Sequence, residues 1–495
     1  MKRNLSLLIL AALLLQLAAC GGETSPADDT TAASGGSDTA GTSAETEITR
    51  ENYPDSLPKD LDFGGKAVRL LSRGGEGFVK LEMGGEEENG DVVSDALYFR
   101  NRAVEEQLNV ELDIIYGDTD SNGYSTSYYS TVMAGDDAYD IIQAVHARGI
   151  TYSHEGIFYN LIDAPYLDYE KPWWNEAYMA EISVGPTQRF LLQGDISLLS
   201  LRNLSTMFYN KTMYESLYGD GDGLYEIVMD GKWTHDQLRK MCADAYQDVN
   251  GNGEVEFTDI LGCSAGSLTK SDHYSYTAGM CMNTRDADGY PVLLADQSRN
   301  VEVIESLSKV YFETKGFYWD SSTTEAQGWQ KFAEGTMLFH GERLYIAESL
   351  RDMKDPYGVI PYPKLNEEQK DYIALVHNSA SLYGVPITLP KIDMACAVLE
   401  AMCAHSYRKV TPAYYDVAMK VKYAQDEESG QVMDIIRGAM MTDFCYANSS
   451  SLSSFGTLAR TLLTAPDPNY MSHYDSIKGT VTEQLAGMIA KAKDA

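Results

Sequence analysis

A chain of 495 residues with 44% apolar content is long enough to bury two domain cores and too long for one. Its 73 acidic against 39 basic residues give a formal charge of −34. That balance argues against nucleic acid and anionic lipid surfaces as partners, because phosphate binding needs clustered Lys and Arg. Solubility outside the cell accounts for most of it.

Lys2 and Arg3 precede an apolar run at residues 5–19 that is broken only by Ser6 and Gln16. The run is shorter than the ~20 residues needed to span a bilayer and reads as a signal peptide over residues 1–20. Leu17-Ala18-Ala19-Cys20 resembles a bacterial lipobox. That resemblance implies a lipidated Cys20 holding the mature protein on the outer face of the membrane, with a plain secretory signal as the alternative. Residues 21–58 are expected to form a disordered tether. Up to Arg50 they are Ser, Thr, Ala, Gly and acidic, without a large side chain before Ile48, and cannot bury enough to fold. Some thirty such residues reach on the order of 30 Å. Six cysteines follow Cys20, with neither C-x-x-C nor a Cys/His zinc spacing. Cys242, Cys396 and Cys403 fall on apolar helical faces; one disulfide is possible, but the sequence does not choose it.

The folded body opens with a strand at 66–72 carrying Val68, Leu70 and Leu71. Arg73-Gly74-Gly75-Glu76-Gly77 follows at its carboxyl end. No Lys-Ser/Thr follows these glycines, so they read as backbone clearance for a ligand around Gly74, with Glu76 free to accept hydroxyls. Ser94 is the expected N-cap of a helix bearing Leu97, Val104 and Leu108, and strands are expected at 109–115 and 139–145. This alternation is the sequence form of a doubly wound α/β domain. His146 stands just past the third strand, at an edge where ligands sit, though a lone histidine also suits a structural role. Of the adjacent Trp173 and Trp174, one is expected in the core and the other at the surface or cleft, since neighbours cannot share a face; Trp174 is the ligand candidate.

Thr234 with Gln237 three residues on reads as a capping box, and Leu238, Met241, Cys242 and Ala245 form the buried stripe of the helix that follows. Trp233 is expected to pack at that helix start. Residues 248–259 place Asp248, Asn250 and Asn252 at positions 1, 3 and 5 of an EF-hand-type loop, with Gly253 at position 6, Glu254 at 7 and Asp259 at 12. One structural calcium ion is expected there, with an Asn/Gly turn as the bland reading; Asp at the last position shortens the reach for bidentate closure. Gly262 to Gly266 spell G-x-S-x-G around Ser264, but 268–273 lacks a convincing apolar helix to complete a nucleophile elbow. A helix is expected at 301–312. Residues 329–364 then give a helix end at Phe332 and Ala333, a stop at Gly335, and a buried strand at 336–339. The polar turn His340-Gly341-Glu342-Arg343 follows at that strand's carboxyl end, and a further strand at 357–360 is stopped by Pro361 and Pro363. Glu342 and Arg343 are ligand candidates by their place on the sheet edge. Met394, Val398, Ala401, Met402 and His405 mark another helix, with His405 in the core.

The order of strand, polar turn, helix and Gly-Val-Ile-Pro-Tyr-Pro strand across 329–364 resembles the family-1 extracellular solute-binding proteins of ABC importers. Gly194-Asp195, Phe208-Tyr209-Asn210-Lys211 and Gly231-Lys232-Trp233-Thr234-His235-Asp236 match further motifs of that family. The resemblance implies two doubly wound α/β lobes joined by a hinge with a ligand cleft between them, like type II periplasmic binding proteins. It implies a first lobe at 59–200, a second at 201–376, a return segment at 377–410, and C-terminal helices at 411–495 packing across both. It places Asn203 on the first crossing, lining the cleft, and residues 377–386 on the return crossing. Tyr274 and Phe455 are implied as aromatics of the cleft.

Two functions fit. The first is a binding protein that closes over a small solute by hinge motion and presents it to an ABC transporter permease, with no catalytic residue and no catalytic cofactor. The second is a surface glycosidase or esterase using an acidic pair such as Glu342 with Glu76. The 34 tyrosines favour a carbohydrate, an oligosaccharide first, though many of them also suit core and surface. A peptide or another polar or cationic metabolite is the runner-up, the latter through cation–π attraction. A membrane contact through lipid alone and a monomeric state complete the expectation.

Overall fold

The structure, a computed structural model, describes residues 48–75, 82–85, 87–420, 427–466 and 468–494. The expected signal peptide, the lipobox at Cys20 and Glu76 lie outside them. Thr49–Ala495 forms one compact unit in which the described residues form two large sheets, of four and five strands, and two of two strands each.

The first sheet runs in the order Ser381–Gly384, Ile141–Val145, Lys66–Ser72, Val110–Tyr116. The last three strands are parallel, Lys66 abreast of Val110 and Leu70 of Ile141, whereas the return strand pairs antiparallel, Ser381 abreast of Val145. Parallel strands need crossover helices, and Val92–Leu108 and Ser121–Met133 supply them. Asp91, rather than Ser94, caps the first, its carboxylate accepting the amides of Val93 and Ser94. The negative charge suits a helix start, and Ser94 lies inside the helix. Asn109 takes a left-handed φ of 49° and ends it, so the next strand starts one residue later than expected.

The second sheet is mixed, in the order Tyr357–Ile360, Ser205–Asn210, Met337–Arg343, Leu261–Ala265, Phe317–Trp319. Met337–Arg343 pairs antiparallel with Ser205–Asn210 and parallel with Leu261–Ala265. That double pairing corrects the expected turn at 340–343: the ladder carries His340, Glu342 and Arg343 inside the strand, Arg343 abreast of Ser205. Lys270–Thr277, also not expected, is a helix with every residue buried. Its sequence, Lys-Ser-Asp-His-Tyr-Ser-Tyr-Thr, has no apolar stripe because its partners are polar. Thr234 caps His235–Ala245 as expected, but only its own half of the capping box forms; the reciprocal box sits at Thr324 and Gln327.

Two crossings run side by side between the sheets. Leu192 and Tyr383 exchange backbone hydrogen bonds, 2.7 and 2.9 Å, and the His377 amide donates to the Asn203 carbonyl, 3.0 Å. The helix Leu198–Arg202 lies in the first crossing. The C-terminal helices touch both halves: Thr411–Lys420 packs on Val92–Leu108 and on Ile346–Ser349. Tyr470–Asp494 packs on Ser298–Phe312, while its Ala492 carbonyl accepts the Gln188 amide at 3.0 Å. The chain is already pinned at Arg50, whose Nε donates to the Tyr407 carbonyl (2.7 Å); Asp55 pairs with Arg408 (2.7 Å) and Leu57 is buried. A tether through residue 58 is therefore too long, because polar contacts fix a segment with few apolar side chains. All six cysteines after Cys20 are free.

Candidate functional site

The carboxyl edges of both sheets meet the crossings, and polar groups collect there. Arg343 closes its strand as the centre of a network. Its Nε donates to Glu342 Oε1 (2.9 Å), its Nη2 to Glu325 Oε2 (2.5 Å) and the Tyr345 hydroxyl (3.1 Å), and its Nη1 to Asn203 Oδ1 (3.4 Å). Asn203 also donates to the Leu199 carbonyl (2.8 Å) and accepts from Ser379 Oγ (3.0 Å), so one carboxamide ties both crossings to the second sheet. Lys270 Nζ stands 3.7 Å from Glu342 Oε2, both nearly fully buried. Burial works to raise the Glu342 carboxyl, but Lys270 and Arg343 prevail and hold it below the usual carboxylate range. Glu325 goes the other way, raised by burial and by repulsion from Glu342. Burial and the adjacent cations push the His273, His340 and His377 imidazoles far down, so all three are neutral. His273 bonds Ser205 Oγ and stacks 5.6 Å from His377.

A groove of about 260 Å³ takes its walls from both halves: Asn89, Asp91 and Ser94 on the first, Glu348 and Arg351 on the second, with Arg202 of the crossing between them. Arg202 pairs with Glu348 at 2.7 Å and the Tyr414 hydroxyl donates to the same carboxylate at 3.2 Å. A much smaller recess of about 10 Å³, with room for about one water as it stands, is lined by Arg73, Gln143, Leu199, Ser379 and Ser381 where the crossings reach the first sheet. Behind it the fully buried Glu82 accepts from Ser381 Oγ (2.6 Å) and the Leu199 amide (3.2 Å), and burial raises its carboxyl.

The expected site residues divide. Asn203, Glu342 and Arg343 come together. Gly74 lies beside Arg73, but a Cβ there would sit 2.2 Å from the Gly117 carbonyl oxygen, so its missing side chain serves loop packing. His146, Tyr274 and Phe455 are fully buried and line neither cavity. His146 has no partner on either ring nitrogen, Tyr274 packs 4.8 Å edge-on to Tyr362, and Phe455 lies 6.0 Å from Tyr474. Both Trp173 and Trp174 are buried, and Trp174 Nε1 donates to Glu400 at 2.8 Å. Trp174 borders a different cavity, of about 390 Å³, with Gln193, Asp195 and Arg437. The sequence reading missed Lys270, Glu325 and Tyr345, and it placed His377 and Ser379 on the return crossing without naming them as site residues. The signals that pointed near them were the polar groups at 340–343 and the return crossing at 377–386.

In the 248–259 loop, Asp248 accepts the amides of Gly251 (2.7 Å) and Gly253 (2.8 Å). Asp259 accepts those of Val249 (3.1 Å) and Glu256 (3.0 Å) and the Tyr246 hydroxyl (3.0 Å). Asn250 Oδ1 and Asn252 Oδ1 accept from Asn252 and Glu254 amides. Among the described residues no three His, Cys, Asp or Glu side chains converge as a metal site. Ser264 is followed by a helix after all, but it lies within its strand, buried, with no partner on Oγ. No helix among the described residues is long and apolar enough to cross a membrane.

The model of the bacterial extracellular solute-binding protein family matches residues 102–404. No curated protein matches the chain by sequence. Among solved structures the chain is similar to the GacH receptor of Streptomyces glaucescens, solved unliganded and with acarbose, at 12% identity and TM-score 0.52, covering 85% of this chain and 99% of that one. It is similar to maltose-bound MalE3 of T. maritima at 14% identity and TM-score 0.51, covering 86% and 100%. It is also similar to the ABC substrate-binding protein Lmo0181 of Listeria monocytogenes in complex with cycloalternan, at 12% identity and TM-score 0.50, covering 84% and 99%. At such identities the likeness is one of fold.

Proposed function

The chain belongs to the bacterial extracellular solute-binding proteins, and from that premise we propose that it captures a small carbohydrate between its lobes and delivers it unchanged to an ABC transporter permease. The observation that carries this reading is the groove walled by both halves, with Asn89, Asp91 and Ser94 facing Glu348 and Arg351 across the crossing. A solute bound there touches both lobes at once, which is what lets binding drive hinge closure. Side-chain amide, carboxylate and guanidinium groups match the donors and acceptors of sugar hydroxyls. Three proteins of similar fold are described with acarbose, maltose and cycloalternan, all carbohydrates. Glu348 and Arg351 are the second-lobe wall of that groove, and Asn203, Glu342 and Arg343, which do not line it, are proposed to set the placement of the lobes at the crossing behind it.

Catalysis is not part of this proposal. Both acids beside the crossing, Glu325 and Glu342, are engaged by Arg343, and Ser264 Oγ has no base. Attachment through a lipidated Cys20, a monomeric state and one structural calcium ion at Asp248, Asn250, Asn252, Glu254 and Asp259 belong to the same proposal. A thermal-shift screen of the purified chain against sugars and peptides tests it, followed by chromatography of the recovered solute. A sugar should raise the melting temperature and come back intact. Stabilisation by peptides alone would favour a peptide-binding protein, and cleaved sugar would make the protein a glycosidase.

A further inference from the structure

Carboxylates outnumber cations in this chain, 73 to 39, so a half-buried guanidinium without one is out of place. Arg73 is such a group. It ends the Lys66–Ser72 strand, at a sheet edge where ligands bind, and lines the small cavity with Gln143, Leu199, Ser379 and Ser381. Its amide donates to Gln143 Oε1 at 3.0 Å, but among the described residues its guanidinium has no hydrogen-bond or ion-pair partner, and Nε is buried without one. Other cations of the cleft are satisfied: Arg343 by Glu325 and Glu342, Arg202 by Glu348, Lys270 by Glu342. The nearby Glu82 spends its oxygens on Ser381, Gln143 and the Leu199 amide and stays beyond ion-pairing distance of Arg73. A protein this acidic could place a carboxylate beside Arg73 at no cost in composition, and among the described residues the cavity offers none.

Resting on the carbohydrate reading above, we propose that the captured solute carries an anionic group, a carboxylate or a phosphate or sulfate ester, that binds the Arg73 guanidinium. The planar fork accepts such groups through two parallel hydrogen bonds, and Ser379 on the return crossing stands in the same lining to bond neighbouring hydroxyls. Burial lowers the Arg73 pKa, as expected of a cation held away from water before its partner arrives.

The test compares glucose, glucuronate, glucose 6-phosphate and glucose 6-sulfate, and the matching disaccharides, by calorimetry on the full chain and on Arg73→Gln. At least one acidic probe should bind tenfold or more tightly than its neutral counterpart. R73Q should abolish that preference, with the carboxylate and ester arms separating the two sources of charge. Ligand-free R73Q should also melt above the wild type, since it removes an unneutralised cation. Neutral sugars binding as tightly as acidic ones would overturn the proposal. So would a lower melting temperature for R73Q, which marks an internal counter-ion. Binding of acidic peptides over neutral ones, lost in R73Q, would retain the anion site while ending the carbohydrate reading.

Discussion

Replacing Arg343 by Met is the most direct test of the network at the crossing. The substitution leaves Glu342, with a side chain 4% exposed, beside Lys270 Nζ at 3.7 Å, and strips Glu325 of its guanidinium. Removing one partner of a buried ion pair costs about 3–5 kcal/mol, because the remaining charge is not solvated and here keeps only the longer contact with Lys270. A melting entropy of about 2.1 cal/mol/K per residue over Thr49–Ala495 gives about 0.9 kcal/mol per degree, so the melting temperature should fall about 3–5 °C at pH 7. The pH dependence fixes the cause. Glu342 lies below its usual range in the folded protein, so its contribution is present above the unfolded value near 4.3 and lost as pH falls through the folded value. The gap between wild type and R343M should therefore shrink below about pH 4, and adding Glu342→Gln to R343M should recover part of the loss at pH 7. Differential scanning calorimetry from pH 3 to 8 reads all three. A melting temperature unchanged at pH 7, or a gap that persists undiminished at pH 3, refutes the argument.

Three further outcomes are expected. Calcium at 100 times its dissociation constant should stabilise the chain by about 2.7 kcal/mol, or about 3 °C, an effect removed by EDTA and by Asp248→Ala; a calcium titration of the melting temperature that stays flat excludes the site. Gly74→Ala forces a Cβ against the Gly117 carbonyl oxygen at 2.2 Å, so it should cost about 1–3 kcal/mol of stability by urea unfolding. Burial raises the Asp443 carboxyl to about 7 although the Met282 and Tyr446 amides donate to it. A raised carboxylate contributes stability below its unfolded value that is lost as pH rises through the folded one. Asp443→Asn should therefore gain on the wild type between pH 4 and pH 8, and parallel stability curves for the two would refute the assignment.

The sequence carried the scaffold well because strand and helix periods are local. The Lys66–Ser72 and Tyr357–Ile360 strands fall where the apolar runs put them, and Asn203, Glu342 and Arg343 meet at the crossing. What was illegible is tertiary. A polar octapeptide, Lys270–Thr277, reads as loop until its partners are known: Asp272 pairs with Arg460 at 2.5 Å and His273 meets Ser205, contacts 188 and 68 residues apart in sequence. The aromatics misled for a related reason. Trp174, Tyr274 and Phe455 are large enough to serve a core or a ligand, and residue type alone does not separate the two. All three went to the core.

That outcome changes how the cleft must recognise its solute. Among the described residues Tyr414 is the one aromatic lining the groove and none lines the smaller cavity, so ring stacking contributes little there and selectivity falls to hydrogen bonds and charge. Such contacts are directional, so they tie affinity to the relative placement of the lobes more tightly than ring stacking does. Asn203 sits where that coupling is made. Its carboxamide touches the first crossing at the Leu199 carbonyl, the return crossing at Ser379 and the second lobe at Arg343. Rotation of one lobe about the crossings shifts Arg343 against Asn203 while the Leu199 contact, within one turn of the same helix, stays fixed. Opening and closing are therefore felt first at Arg343, which also holds Glu325 and Glu342.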